Sequence, residues 1–214
     1  MNPITDAFLH DIPKTDLHVH LDGSLRIETL IDLAHERHIP LPADEPDRLK
    51  QILNIGGIHE NLESYLRVFD TTLKVLQDED ALTRVAFELA EDAAHENCRY
   101  IEVRYSPILH QREGLSLPVI VEAVGAGLRE AKKKYGIMSG QIICAMRHMP
   151  PQSSLRLAEL AVAFKNKGVV GFDLAGGEVN NPAEKHAEAF AFIRKNNLNS
   201  TVHAGEAYGA RSIH

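Results

Sequence analysis

Short runs of apolar and β-branched residues alternate along this chain with longer stretches in which apolar positions recur every three or four residues. The first pattern predicts strands at Thr15–His20, Tyr100–Tyr105, Ser139–Met146, Val169–Leu174 and Ser200–His203. The second predicts helices at Arg26–Arg37, Leu117–Tyr135, Ser154–Lys167 and Pro182–Asn196. Pro40, Pro42 and Pro46 break the segment after the first helix, and from Asp47 to Asn97 the period stays helical with no strand, which predicts a long helical insertion in the first crossover. Within it Leu62, Tyr65, Leu66 and Phe69 form an apolar stripe that periodicity alone reads as helix core. Strand and helix in alternation specify an α/β protein with a parallel sheet. No repeat, low-complexity tract or flexible linker interrupts the pattern, so residues 1–214 form one domain. About five β/α units can be counted, whereas a closed barrel of this class needs eight strands and typically ~250 residues. The end at Arg211–His214, at what reads as the start of another helix, predicts an incomplete barrel whose last strands are missing.

Composition narrows the classes of function. With 44% hydrophobic and 25% charged residues, the 214-residue chain has the balance of a soluble globular domain with a sizeable core. A net charge of -7 argues against a nucleic-acid or anionic-membrane surface, and the one basic run, Lys132–Lys134, sits where it complements the negative end of a helix. Cys98 and Cys144 lie in apolar stretches and read as buried fillers, not as a disulfide or a cysteine metal site. The first thirteen residues have no secretory pattern and no segment supplies ~18 uninterrupted apolar residues, so a cytoplasmic location is expected.

Chemistry gathers at predicted strand ends. In a strand, side chains at i and i+2 share a face, so His18 and His20 present two imidazoles together, a pair suited to Zn²⁺ or equally to surface hydrogen bonding. Their place at the C-terminal end of the first strand favours the metal, because barrel active sites occupy that rim. Asp22 follows, either starting a turn at Gly23 or offering a carboxylate to a substrate hydroxyl. His203-Ala204-Gly205-Glu206 closes the last predicted strand and adds a third imidazole and an acid, completing the parts for attack by metal-activated water. Asp173 to Glu178 ends another strand, where Gly176 and Gly177 permit either a tight turn or close approach to a flat ligand. Arg104 is expected in a salt bridge with Glu102 or another rim acid. No phosphate loop, dinucleotide fingerprint or Gly-x-Ser-x-Gly elbow is present.

Pro13–Gly23, Glu102–Pro107, Asp173–Gly176 and His203–Glu206, in this order, resemble the adenosine deaminase family of metallo-dependent hydrolases over essentially the whole chain. The helical insertion before the second strand is similar as well. The resemblance implies a (β/α)8 TIM-type barrel and zinc-dependent hydrolytic deamination of adenosine and 2′-deoxyadenosine to inosine products and ammonia. It further implies one zinc held by His18, His20 and His203, with His20 also bordering the substrate, and Glu206 protonating purine N1 while water attacks C6. Asp22 is implied to bond the ribose 5′-hydroxyl, the Gly176 backbone to contact N3, and Tyr65, Leu66 and Phe69 to line an apolar subsite. In the family a further histidine and an aspartate lie on later strands, and His214 does not match that histidine. The 214-residue chain by itself is therefore not expected to turn over substrate. Adenine is the rival substrate, although relatives acting on the free base tend to carry Glu at the position of Asp22. An inactive metal-binding fragment is another alternative, as is a metal phosphoesterase, in which the His-Ala-Gly-Glu motif has no natural place.

Overall fold

The computed structural model describes residues 4–53, 57 and 61–213, without the side chains of residues 63 and 64. A short helix α1 (Asp6–Asp11) leads into β1 (Lys14–His20) and α2 (Ile27–Glu36). The insertion contains α3 (Pro46–Ile52), α4 (Leu62–Leu66), α5 (Phe69–Val75) and α6 (Glu79–His95). Regular alternation follows with β2 (Cys98–Tyr105), α7 (Leu117–Tyr135), β3 (Met138–Met146), α8 (Pro151–Ala163), β4 (Val169–Ala175), α9 (Ala187–Lys195) and β5 (Asn199–Ser200). His214 lies outside the described residues. No helix among the described residues is long and apolar enough to cross a membrane.

Local sequence accounts for where the longest helices start and stop. Asp78 caps α6 by accepting the Ala81 amide at 2.8 Å, and Glu79 and Asp80 put negative charge on the positive helix start. Helix α7 begins with Pro118 in its first turn and stops at Gly136, whose φ of 75° sits in the left-handed region and whose N–H returns to the Lys132 carbonyl. These two helices pack with backbones nearly touching. A Cβ on Gly127 of α7 would lie 2.2 Å from the Thr83 carbonyl oxygen of α6.

The five strands are parallel and ordered β1-β2-β3-β4-β5, so each crossover returns beside the strand it left. β2, β3 and β4 are buried over most of their length, as expected of central strands covered on both faces. Val103, Ile143, Phe172 and Leu174 of these strands join Leu82 of α6, Ile120 of α7 and Leu157 of α8 in one core. The outer strands β1 and β5 are largely exposed.

The expected elements recur, although the helices expected at Ser154–Lys167 and Pro182–Asn196 are regular only at Pro151–Ala163 and Ala187–Lys195, and two further readings differ in kind. The predicted strand Ser200–His203 is regular only at Asn199–Ser200. Beyond it, the Thr201 and His203 amides still donate to Phe172 and Leu174 at 2.9 and 3.0 Å, so pairing continues on one side while the chain turns away. The stripe from Leu62 to Phe69 spans two helices, not one, and it is not core: Tyr65 is 44% exposed.

Candidate active site

Strand ends carry the three histidines to one point. Nε2 of His203 lies 2.9 Å from Nε2 of His18 and 3.2 Å from Nε2 of His20, and one nitrogen from each ring falls within 4.8 Å of the others. If the sheet were flat, four inter-strand steps of about 4.8 Å would put β1 and β5 roughly 19 Å apart. The contact between His18 and His203 therefore requires the sheet to curl so that its two outer strands face each other across the rim. A tetrahedral ion with metal–nitrogen bonds of about 2.0–2.1 Å separates its ligand nitrogens by roughly 3.3 Å, close to the spacing seen, so the three rings suit such an ion. Burial, and then the neighbouring His203 and His18, push the His20 imidazole down to about 4, and burial and Arg104 lower His18. Both are neutral near pH 7, with ring lone pairs available to a metal.

Behind His203 stands Asp173 at the end of β4, with Oδ2 2.9 Å from Nδ1 in an ion-pair approach and not an aligned hydrogen bond. The carboxylate favours the proton on Nδ1 and leaves Nε2 facing the other imidazoles. Burial works to raise the Asp173 carboxyl, but His203, Arg104 and Thr201 together hold it well below the usual carboxylate range. Arg104 Nη1 donates to Asp173 at 2.8 Å and Nη2 to the Leu17 carbonyl at 2.8 Å, linking β2 to both neighbours of the histidine cluster. Arg104 thus pairs with a rim acid, and that acid is not Glu102, which accepts instead from the Tyr100 hydroxyl at 2.9 Å.

A cleft of about 600 Å³ opens beside the histidines, bordered by Asp22, Tyr65, Phe69, Gly176 and Glu206. Asp22 is 5% exposed, its Oδ1 has no hydrogen-bond partner among the described residues, and burial pushes its carboxyl up to about 7. Gly176 has a φ of +94°, and a Cβ there would meet Met146 Cε at 3.0 Å and His148 Nδ1 at 3.3 Å, so both conformation and space call for glycine. Tyr65 and Phe69 pack edge to face at 5.4 Å, and the Phe69 ring centroid lies 6.3 Å from that of His20. Every expected site residue, His18, His20, Asp22, Gly176, His203 and Glu206, lines this one cleft.

Three residues behind the cleft escaped the sequence reading. Arg147 donates through Nη2 to the His203 carbonyl and through Nη1 to the Asn181 carbonyl at 2.9 Å. His186 lies with Nε2 3.2 Å from the Arg147 carbonyl and Nδ1 2.7 Å from the Ser154 hydroxyl. Glu178, read as the end of a turn, reaches across to the segment that carries Glu206. The sequence shows only an acid just after two glycines, which does not reveal its burial or its distant partners.

Residues 13–214 match the family model described as adenosine deaminase. The adenosine deaminase of Clostridium kluyveri is 42% identical over 195 residues, covering 91% of this chain and 56% of that protein. The adenosine deaminase of Mycolicibacterium vanbaalenii is 43% identical, covering 99% of this chain and 60% of that protein. Among solved structures, an amidohydrolase from Burkholderia ambifaria with bound Zn superposes with a TM-score of 0.86 at 27% identity, over 99% of this chain and 58% of that one. The adenine deaminase of Arthrobacter aurescens superposes with a TM-score of 0.83 at 27% identity, over 93% and 59%. The chain thus spans somewhat under two thirds of the length of these relatives.

Proposed function

Because the chain belongs to the adenosine deaminase family, we propose that the protein hydrolyses the 6-amino group of adenosine and 2′-deoxyadenosine, consuming water and releasing ammonia and the corresponding inosine. The observation that carries this reading is the meeting of three imidazoles from opposite edges of the sheet, beside a cleft that also holds Glu206 and Asp22. His18, His20 and His203 would hold one zinc ion, as the donor set and its spacing suit. When bound, zinc supplies acidity to water, which makes a strong nucleophile accessible at neutral pH.

The remaining work falls to the chain's own groups. Glu206 carries the proton for purine N1, and protonation there draws electron density from C6 and opens it to attack by water; the remaining proton of that water passes to the 6-amino nitrogen, which departs as ammonia as the C6 carbonyl forms. The Gly176 backbone meets the purine edge at N3, where no side chain would fit. Asp22 accepts the ribose 5′-hydroxyl, a donor that would satisfy its unpartnered Oδ1. Tyr65, Leu66 and Phe69 cover the cleft and keep bulk water from the purine.

The protein expressed at the full length its gene encodes, loaded with zinc, is expected to convert adenosine to inosine, followed by ultraviolet absorbance. Glu206→Gln should keep its zinc and lose roughly 10²–10⁴-fold in kcat, whereas His18→Ala should lose zinc and activity together. Asp22→Ala should raise KM for adenosine far more than for adenine; equal effects on both would point to the free base. A zinc-loaded protein that leaves adenosine untouched and cleaves a phosphate ester would overturn the assignment.

A further inference from the structure

Glu178 is 2% exposed, yet it is charged and heavily used. One carboxylate oxygen, Oε1, accepts the Gly205 amide at 2.9 Å and the Ser212 hydroxyl; the other, Oε2, accepts the Ala207 amide at 2.7 Å and the Tyr208 amide at 3.3 Å. Gly205 and Ala207 are the residues on either side of Glu206. The chain passes Gly205 with φ of +83°, a left-handed turn that makes successive N–H groups converge and so builds an anion-binding concavity. In this protein the anion is a side chain. Burial opposes its charge, but the Ser212 hydroxyl and the three amides outweigh burial and bring the carboxyl down to about 2.

We propose that Glu178 is a positioning residue that fixes the backbone on both sides of Glu206 and so aims its side chain into the cleft. The inference rests on the reading of Glu206 as the proton donor to purine N1. Glu178 lies two residues beyond Gly176, so one carboxylate ties the strand end that meets the purine edge to the turn that delivers the proton. Arg147 secures the same segment at its start, through the His203 carbonyl. With the turn gripped at both ends, Glu206 has no backbone freedom to swing away, and its own carboxyl is left for the substrate. Charge-assisted bonds suit this task, being about twice as strong as neutral ones.

The test uses the zinc-loaded, full-length gene product with Glu178→Ala and the milder Glu178→Gln, each alone and combined with Glu206→Gln. Glu178→Ala should lower kcat on the order of 100-fold, the usual effect of misplacing a reacting group by an ångström. KM for adenosine and zinc content should stay within about 3-fold of the parent, as uniform binding is untouched. Glu178→Gln, which keeps one acceptor oxygen and the shape, should lose roughly 10-fold. On the Glu206→Gln background Glu178→Ala should cost less than about 3-fold more, since a residue acting through another is not additive with it. Amide hydrogen exchange at Gly205, Ala207 and Tyr208 should speed up at least about 10-fold in Glu178→Ala while β2 to β4 stay protected. Unchanged exchange at those amides, a kcat loss that tracks lost zinc, or full additivity with Glu206→Gln would overturn the proposal. Exchange needs no turnover, so a parent protein without deaminase activity would count against the proposed reaction alone.

Discussion

At the scale of single residues, burial decides which groups carry charge. His110 is fully buried, with Nδ1 2.9 Å from the Leu76 carbonyl and Nε2 unpartnered among the described residues. Burial pushes its imidazole down to about 4 from an ordinary 6.5, against the pull of the Leu76 carbonyl and with help from Arg112. The folded chain therefore keeps His110 neutral where the unfolded chain binds a proton. Its contribution is present above pH 6.5 and is lost as pH falls from there to about 4, by on the order of 3 kcal/mol in total. Urea unfolding at pH 7 and pH 4.5 should show that part of the slope disappear in His110→Gln; an identical slope in parent and variant would contradict the neutral imidazole. Little near His110 in the sequence announces this, because its hydrogen-bond partner, the Leu76 carbonyl, lies 34 positions away. Glu178 was opaque for the same reason, since its partners lie 27 to 34 positions further on. His18 and His20 were legible because the two-residue period of a strand fixes their shared face without any distant partner.

At the scale of elements, what was legible followed from strong local punctuation. Helix α7 runs from Leu117 to Tyr135 as its sequence predicts, because proline opens it and Gly136 closes it. The buried strands β2 to β4 begin or end within two residues of expectation, since each is a short run carrying β-branched or aromatic residues between two helical stretches. β5 was overestimated because regular pairing needs a partner, and only β4 is available to it among the described residues. Periodicity showed that Leu62 to Phe69 have an apolar face but not what it looks onto, which proved to be the cleft. The approach of α6 and α7 at Gly127 was equally invisible. Gly127→Ala gains about 0.5–1 kcal/mol of helix propensity but places a methyl against the Thr83 carbonyl oxygen and the Phe87 nitrogen, an overlap that costs about 1–3 kcal/mol. The clash should win, lowering the thermal midpoint by a few degrees. An unchanged or raised midpoint would mean that the two helices do not meet so closely.

At the scale of the whole molecule, the sheet has two free edges, at β1 and β5, among the described residues. Leu17 on the first and Val202 just past the second are 54% and 43% exposed, and Phe8 of α1 is 54% exposed nearby in the chain. Open apolar edges are templates for further pairing. The 214-residue chain on its own should therefore self-associate as its concentration rises, measured by sedimentation or light scattering, and a monodisperse monomer at high concentration would show the edges to be blunted. The curl that joins those edges at the histidines also has a consequence in time. His18 and His203 are 185 positions apart, and at about 5–20 residues per second a ribosome delivers the third imidazole some 10–40 s after the first two. In the metal-binding role proposed for them, His18 and His20 spend that interval as a two-nitrogen chelate open to whichever divalent ion the surroundings offer. Geometry able to discriminate among ions arrives only with His203. In that role the choice of metal would be made late, by the folded sheet and not by the His18 and His20 motif alone.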